Sequence, residues 1–338
     1  MPSQGGVAEP TESFRWAFAL KNKIMKLNDA INLYLGSRHQ TRKTRTVTQD
    51  FMHLSDFMFY MRDVDREVES ITLEECESWL GLVRELGYDD NTRIKKAIAL
   101  KLFFEHMFRR RINVGFDSDL IPIPRKVFKF PRVATEDQYK RLLAAVKDEG
   151  KCGAITYAVR DKAVIMLIHD TGARNGEIVS LDMDDLDLEK KSARIKTEKS
   201  RGEIPFREIF WSREANEQLK KWVAVREKFL ATMELEEPKT VFFGIKAGGS
   251  ASNYSAKGKR LQVNYVSELF RKYSNRAQLP IINPHSFRHL FGRDLAKKKA
   301  NNFVISSMMG HARVESSYPY TMLFGKDRED AYRSLRGE

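Results

Sequence analysis

The sequence predicts a mainly α-helical chain with one small antiparallel β-sheet, divided into an N-terminal four-helix domain and a larger mixed α/β domain. Three observations predict it. Apolar residues recur at helical spacing through most of the 338 residues. A stretch with three prolines and no helical period, residues 113–135, separates two such runs. Only residues 186–206, LDLEKKSARIKTEKSRGEIPF, hold short alternating stretches broken by polar turns, which suits two or three strands. A chain of this length can bury two cores.

Residues 1–21 are expected as a flexible tail. Ile24, Leu27, Ile31 and Leu35 set a first helix over 22–35, and a polar, basic connector follows at 37–46. Residues 47–61 place Phe51, Leu54, Phe57, Met58 and Met61 on one helical stripe. Thr72 is an N-cap with Glu75 three residues on, a capping box, and Gly87 ends that helix. Residues 90–111 make a fourth helix, basic at both ends. The first domain thus spans 22–112, the linker 113–133 and the second domain 134–325, opening with a helix capped by Thr135. After the sheet, helix resumes at 212–230. A Gly/Ser-rich loop at 246–260 ends basic, and helices follow at 262–277, 285–299 and 301–309. Residues 326–336 suit a short amphipathic helix with Ala331 and Leu335 on one face.

The formal net charge is +13, which favours a polyanionic partner, most often nucleic acid. Hydrophobic residues make up 42%, ordinary for a soluble globular protein. There is no apolar run of about 18 residues for a membrane span and no secretory signal. Cys76 and Cys152 lie in unrelated contexts, so neither a disulfide framework nor a zinc knuckle is indicated, and a reducing cytoplasm is expected.

Four stretches of the second domain stand out. In HDTGARNGEIVSL, 169–181, an apolar helix runs into Thr171-Gly172, and Arg174 and Glu177 open another. An arginine at a helix start is ordinarily a surface residue. RIKTEKSRGEIP, 194–205, is a cation-dense turn that could simply be exposed. NPHSFRHLFGRDL, 283–295, puts His285 and Arg288 on one helical face. GHARVESSYPYTML, 310–323, holds His311 and two tyrosines, Tyr318 and Tyr320. Metal chemistry is not indicated. The acidic run 181–189 lacks a separate acidic partner, and His285 and His289, though four apart, lack the glutamate of a metalloprotease helix.

The order T-G-x-R-x-x-E, a lysine-bearing hairpin, H-x-x-R, G-H, and a tyrosine nine residues after that histidine resembles the tyrosine recombinase, or phage integrase, family. The front half resembles the family's core-binding domain, with its T-R-T-V-T-Q-D-F helix start and Pro-rich linker. The resemblance covers roughly residues 22–335. It implies an N-terminal core-binding domain and a mixed α/β catalytic domain, and it selects Tyr320, followed by Thr321, over Tyr318, followed by Pro319. It also touches type IB topoisomerases and telomere resolvases, and a DNA-binding regulator that has lost catalysis is a further alternative. The compact length, the core-binding domain and the intact residue set favour a recombinase.

The reaction implied is phosphoryl transfer between DNA strands through a 3′-phosphotyrosyl link, without metal, cofactor or ATP. Arg174 and Arg288 match the family's two arginines, whose planar forks suit the non-bridging oxygens. A phenol with a pKa of about 10 needs help losing its proton, and His285 matches a general base or a phosphate-oxygen donor. The leaving alkoxide needs an acid. The K-T-x-K spelling points to Lys196, with Lys199 next, although the turn is one residue longer than usual before Pro205. His311 matches a phosphate-binding position, and Glu177 would support Arg174 or His285.

Candidate phosphate contacts are Arg38, Arg42, Lys43 and Arg45; Arg93, Lys95 and Lys96; and Lys257, Lys259 and Arg260. Base readout would come from the helices at 47–61 and 90–111. The family's clamp on duplex DNA, its four protomers on two duplexes, and donation of residues 326–338 to a neighbour are carried over by resemblance.

Overall fold

The computed structural model describes residues 25–63, 65–127, 131–147, 154–197, 206–232, 234, 236, 238–245, 258–311, 313–321, 332, 333 and 336. The expected tail, Lys199, Lys257 and most of the expected C-terminal helix lie outside them. The chain divides into two units, Met1–Lys129 and Phe130–Glu338.

The first unit is built from α1 (Leu27–Thr41), α2 (Thr44–Met61), α3 (Leu73–Glu85) and α4 (Asp90–Arg109). The connector expected at 37–46 is mostly helix; only Arg42 and Lys43 adopt extended backbone between α1 and α2. The capping box on α3 is present: the Glu75 amide donates to Thr72 Oγ1 at 3.3 Å and the Thr72 amide to Glu75 Oε2 at 3.0 Å. Val47, Leu54, Phe57 and Met61 form the buried stripe of α2. Phe51, expected on it, is half exposed, because at about 100° per residue it falls roughly 75° from the stripe's centre. Phe57 meets Trp79 edge-on at 5.2 Å, and Phe103 meets Phe104 at 5.0 Å. Each such buried side chain contributes about 1.5–3 kcal/mol. Val114 and Ile121 are buried in the same core, so the start of the expected linker is part of this unit.

The second unit begins with α5 (Glu136–Ala145), whose capping box joins Thr135 and Gln138. At its centre lies α6 (Ala154–Thr171). Ala163, Val164, Ile165, Leu167 and Ile168 of α6 are all buried, the signature of a helix surrounded by other elements. After α7 (Asn175–Val179) come β1 (Leu186–Asp187), β2 (Ser192–Lys196) and β3 (Phe206–Phe210). They form an antiparallel sheet in the order β1-β2-β3, with Lys196 opposite Phe206. This is the expected fold class: mainly helical with one small antiparallel sheet. Then follow α8 (Arg213–Thr232), α9 (Val263–Arg276), α10 (Pro284–Lys297), α11 (Asn302–Met309) and the single turn α12 (Tyr318–Thr321). Pro284 at the first position of α10 and Asn283, whose side chain accepts from the His285 amide at 2.9 Å, fix where α10 starts. Among the described residues no helix is long and apolar enough to cross a membrane.

Candidate active site

α6 stops at Thr171, whose hydroxyl bonds back to Leu167 O and receives the Ala173 amide. The turn delivers Arg174 to the start of α7, one helical turn before Glu177. The Glu177 side chain is fully buried. Its Oε2 accepts from the Arg174 amide and from Arg207 Nη2, each at 2.8 Å, and its Oε1 accepts from Arg174 Nη1 at 2.8 Å. Burial alone would push this carboxyl up. Arg207, the Arg174 amide and guanidinium, and Arg288 outweigh it and hold the group below the usual carboxylate range.

Three guanidinium groups then close on three consecutive carbonyls at the end of α11. Arg207, from β3, donates to Met308 O at 2.6 Å. Arg288, from α10, donates to Met309 O and to Gly172 O. Arg174 reaches Gly310 O through both terminal nitrogens at 3.2 Å. The last carbonyls of a helix lack intrahelical partners and carry its negative dipole end, so cations are favoured there. Gly310 is required at this point. It has φ of +62°, and a Cβ on it would lie 2.5 Å from Arg207 Nε.

Arg174 and Arg207 pair with Glu177 while Arg288 has only backbone carbonyls, so the cluster carries excess positive charge. Burial first, and then Arg174 and Arg207, hold Arg288 down to about 9, still cationic at neutral pH. His311 follows Gly310, and its Nδ1 bonds Ser317 Oγ at 2.8 Å. Burial and the cations push it down to about 3, so it is neutral at physiological pH.

Tyr320 lies beside this cluster, its ring tilted 10° from that of His311 at 6.2 Å. Its Oη meets His289 Nδ1 at 2.7 Å. Burial raises the phenol's pKa, while Arg288 and Arg174 pull it back. Tyr318 is exposed and enters none of these bonds.

The structure therefore brings together Arg174, Glu177, Arg288, His311 and Tyr320. It does not do so for every expected residue. His285 is exposed on the first turn of α10, its ring edge-on to His289 at 5.2 Å; the bond to the phenol belongs to His289, one turn further along. Lys196 closes β2 and is exposed. Among the described residues no hydrogen bond or ion pair joins it to the cluster.

Two participants were missed. Arg207 sits opposite Ile195 and two residues before the buried Ile209, so strand alternation turns it inward, and an inward cation needs a carboxylate. His289 stands out in the sequence only by its four-residue spacing from His285; its position one residue after Arg288 on the helix is the available signal.

Among the expected phosphate contacts, Arg42, Lys43, Arg45, Lys95 and Lys259 are exposed. Arg38 is held by Asp50 at 2.8 Å and Arg93 by Asp90 at 3.3 Å. Lys96 is corrected: its side chain is 3% exposed and paired with Asp56, with the Trp79 and Tyr88 rings close by, because its helix face is the buried one. Arg260 is exposed as well, like Lys259. Its guanidinium donates to Val179 O, Leu181 O and Asp182.

Residues 132–325 match the model of the phage integrase family. The tyrosine recombinase XerC of Mycobacterium bovis is 25% identical over 271 residues, covering 79% of this chain and 84% of the relative. That of Pelotomaculum thermopropionicum is 23% identical over 314 residues, covering 90% and 95%. The fold is similar to the XerH site-specific recombinase in its post-cleavage complex with palindromic difH substrate (TM-score 0.65, 17% identity, 97% of this chain and 90% of that one). It is also similar to a lambda integrase dimer bound to a COC' core site (TM-score 0.65, 16% identity, 88% and 96%). The chain belongs to the phage integrase family, and its enzyme class is that of the tyrosine site-specific recombinases.

Proposed function

We propose that this enzyme cuts and rejoins double-stranded DNA at a specific site by transesterification, with Tyr320 as nucleophile and a 3′-phosphotyrosyl intermediate. The observation that carries the reading is a phenol set against a buried cluster with more guanidinium groups than carboxylates. Such a cluster suits a phosphodiester whose transition state gains negative charge. Arg174 and Arg288 take the non-bridging oxygens. Nδ1 of His311 is taken up by Ser317 Oγ, and its Nε2 is the atom that donates to the phosphate. Lys196 protonates the departing 5′-oxygen, and His285, at the open end of α10, is a phosphate-oxygen donor. The phosphotyrosyl bond conserves the energy of the phosphodiester, so the cycle calls for neither ATP nor metal.

The first unit is the core-binding domain. The exposed cations Arg42, Lys43, Arg45 and Lys95 contact phosphates in it, and Lys259 does so in the second unit. Binding should therefore weaken steeply with salt. Four protomers act on two duplexes, with residues 326–338 donated to a neighbour, in the cytoplasm where the DNA lies.

A nicked suicide substrate tests the reading. The wild-type protein and Tyr320→Phe are incubated with it and resolved on denaturing gels. A covalent adduct should form with wild type and with Tyr318→Phe, persist in chelator, and vanish in Tyr320→Phe. An adduct with Tyr320→Phe, or its loss on chelation, would overturn it.

A further inference from the structure

We propose that His289 is the base that takes the phenolic proton of Tyr320 on attack and returns it on rejoining. This rests on the reading of Tyr320 as nucleophile. The geometry is direct, since Nδ1 of His289 and Oη of Tyr320 are 2.7 Å apart, within the reach that proton transfer needs.

The face of α10 is shaped for this contact. Arg288 turns inward to the carbonyls of Gly172 and Met309. His289, about 100° further round the helix, meets the phenol. Gly292, three residues on and therefore on the same face as His289, leaves room for the ring. A Cβ there would stand 3.1 Å from two Tyr320 ring carbons and 2.9 Å from Met309 Sδ. The helix thus offers a flat seat for the ring and a nitrogen at its oxygen.

The charge state agrees. Burial, then Arg288, holds the His289 imidazole below its ordinary pKa, so it is neutral and able to accept at neutral pH. The charged and titratable groups around it are Arg288 and His285 on its own helix, Tyr320 on α12 and His311 after α11. In cleavage the Oη–H bond breaks, the proton moves to Nδ1 and the Oη–P bond forms. The P–O5′ bond breaks, and the 5′-oxygen leaves as a hydroxyl with a proton from the lysine acid. In rejoining, the incoming 5′-hydroxyl gives its proton to that lysine, the P–Oη bond breaks, and the imidazolium reprotonates the phenolate.

The test measures adduct formation on the nicked substrate against pH for wild type, His289→Asn and Tyr320→Phe. Asparagine keeps an acceptor near the position of Nδ1 but cannot hold the proton. His289→Asn is expected to cleave about 10²-fold slower at pH 7. Its deficit should shrink as pH rises towards the phenol's own ionisation near about 10. A substrate with sulfur at the bridging 5′ position, which leaves without an acid, should restore Lys196→Ala and not His289→Asn. Rates within about twofold of wild type at pH 7, a deficit equal at every pH, or restoration by the sulfur substrate would overturn the proposal. Should the variant not fold, the wild-type profile decides. A rate that levels off above about pH 6.5 supports His289, and one that keeps climbing tenfold per pH unit rejects it. An adduct with Tyr320→Phe would instead remove the nucleophile assignment itself, an outcome distinct from the others.

Discussion

Two buried arginine clusters lie in the second unit, and they balance their charge differently. Arg160 of α6 is buried against Asp161, which accepts from its Nε at 3.0 Å and its Nη2 at 2.7 Å. Phe243 O takes Nη1, while Tyr265 and Tyr273 donate to the same carboxylate. Each charge has one opposite charge and its remaining polar atoms are occupied. Burial alone would lower the Arg160 pKa, but Asp161 and Tyr265 outweigh that and raise it. Around Glu177 the count differs, with three guanidinium groups to one carboxylate, and Arg288 is held down to about 9. The residue type and depth are alike; the number of carboxylates sets the sign of the shift. A balanced cluster is complete and holds α6, α9 and the segment carrying Phe243 together. An unbalanced one is stabilised when an anion arrives, which is what a catalyst of phosphoryl transfer needs.

Removing one charge from each cluster should break the comparison in opposite ways. Asp161→Asn leaves the Arg160 charge buried without a counter-ion and should cost about 3–5 kcal/mol of stability, read by urea unfolding. Adduct formation at a temperature where the variant is folded should stay near wild type. Arg174→Lys keeps the charge and loses the planar fork. It should slow adduct formation by about 10²–10³-fold, equivalent to about 2.7–4 kcal/mol in the barrier, with an unfolding midpoint close to wild type. Equal effects of the two substitutions on stability and rate would show that the clusters do not differ in kind.

The smallest effect sharpens the contrast at a partly buried histidine. His169 lies between Asp170, at 2.9 Å, and Glu136, at 3.1 Å, and stacks on Tyr139 at 3.7 Å. Burial works against its protonation, but the two carboxylates outweigh it and raise its pKa above the ordinary value. Its contribution is therefore complete below the unfolded-state value of about 6.5 and is lost as pH rises through the higher folded value. His169→Gln should destabilise by about 1 kcal/mol at pH 5.5 and by less at pH 9. Unfolding curves at the two pH values would check it, and an equal loss at both would refute the linkage.

Legibility from sequence followed the range of the interactions. The caps at Thr72 and Thr135 are set by residues three apart, and both were readable. The apolar stripe of α2 was readable except at Phe51, where one position on a helix edge decided between core and solvent. The expected linker misled at Val114 and Ile121 because lack of helical period says nothing about burial. In the candidate site, motif order singles out Arg174, Arg288, His311 and Tyr320, which the fold brings together. It does not single out Arg207 and His289, because their partners lie 30 and 31 residues away. Lys96 shows the reverse error: a cation in a basic stretch counts as available only if its own neighbours leave it so.

By itself, the sequence determined the helical and strand periods, the caps, the excess of positive charge, and the motif order that groups Arg174, Arg288, His311 and Tyr320. These depend on spacing along a few turns of chain and on residue chemistry. Only the tertiary structure decided which histidine meets the phenol, how many cations share Glu177, and which lysines and arginines are already occupied. Those outcomes depend on contacts between elements far apart in sequence, where a rotation of about 100° from one helix position to the next separates the buried Arg288 from the His289 that holds Tyr320.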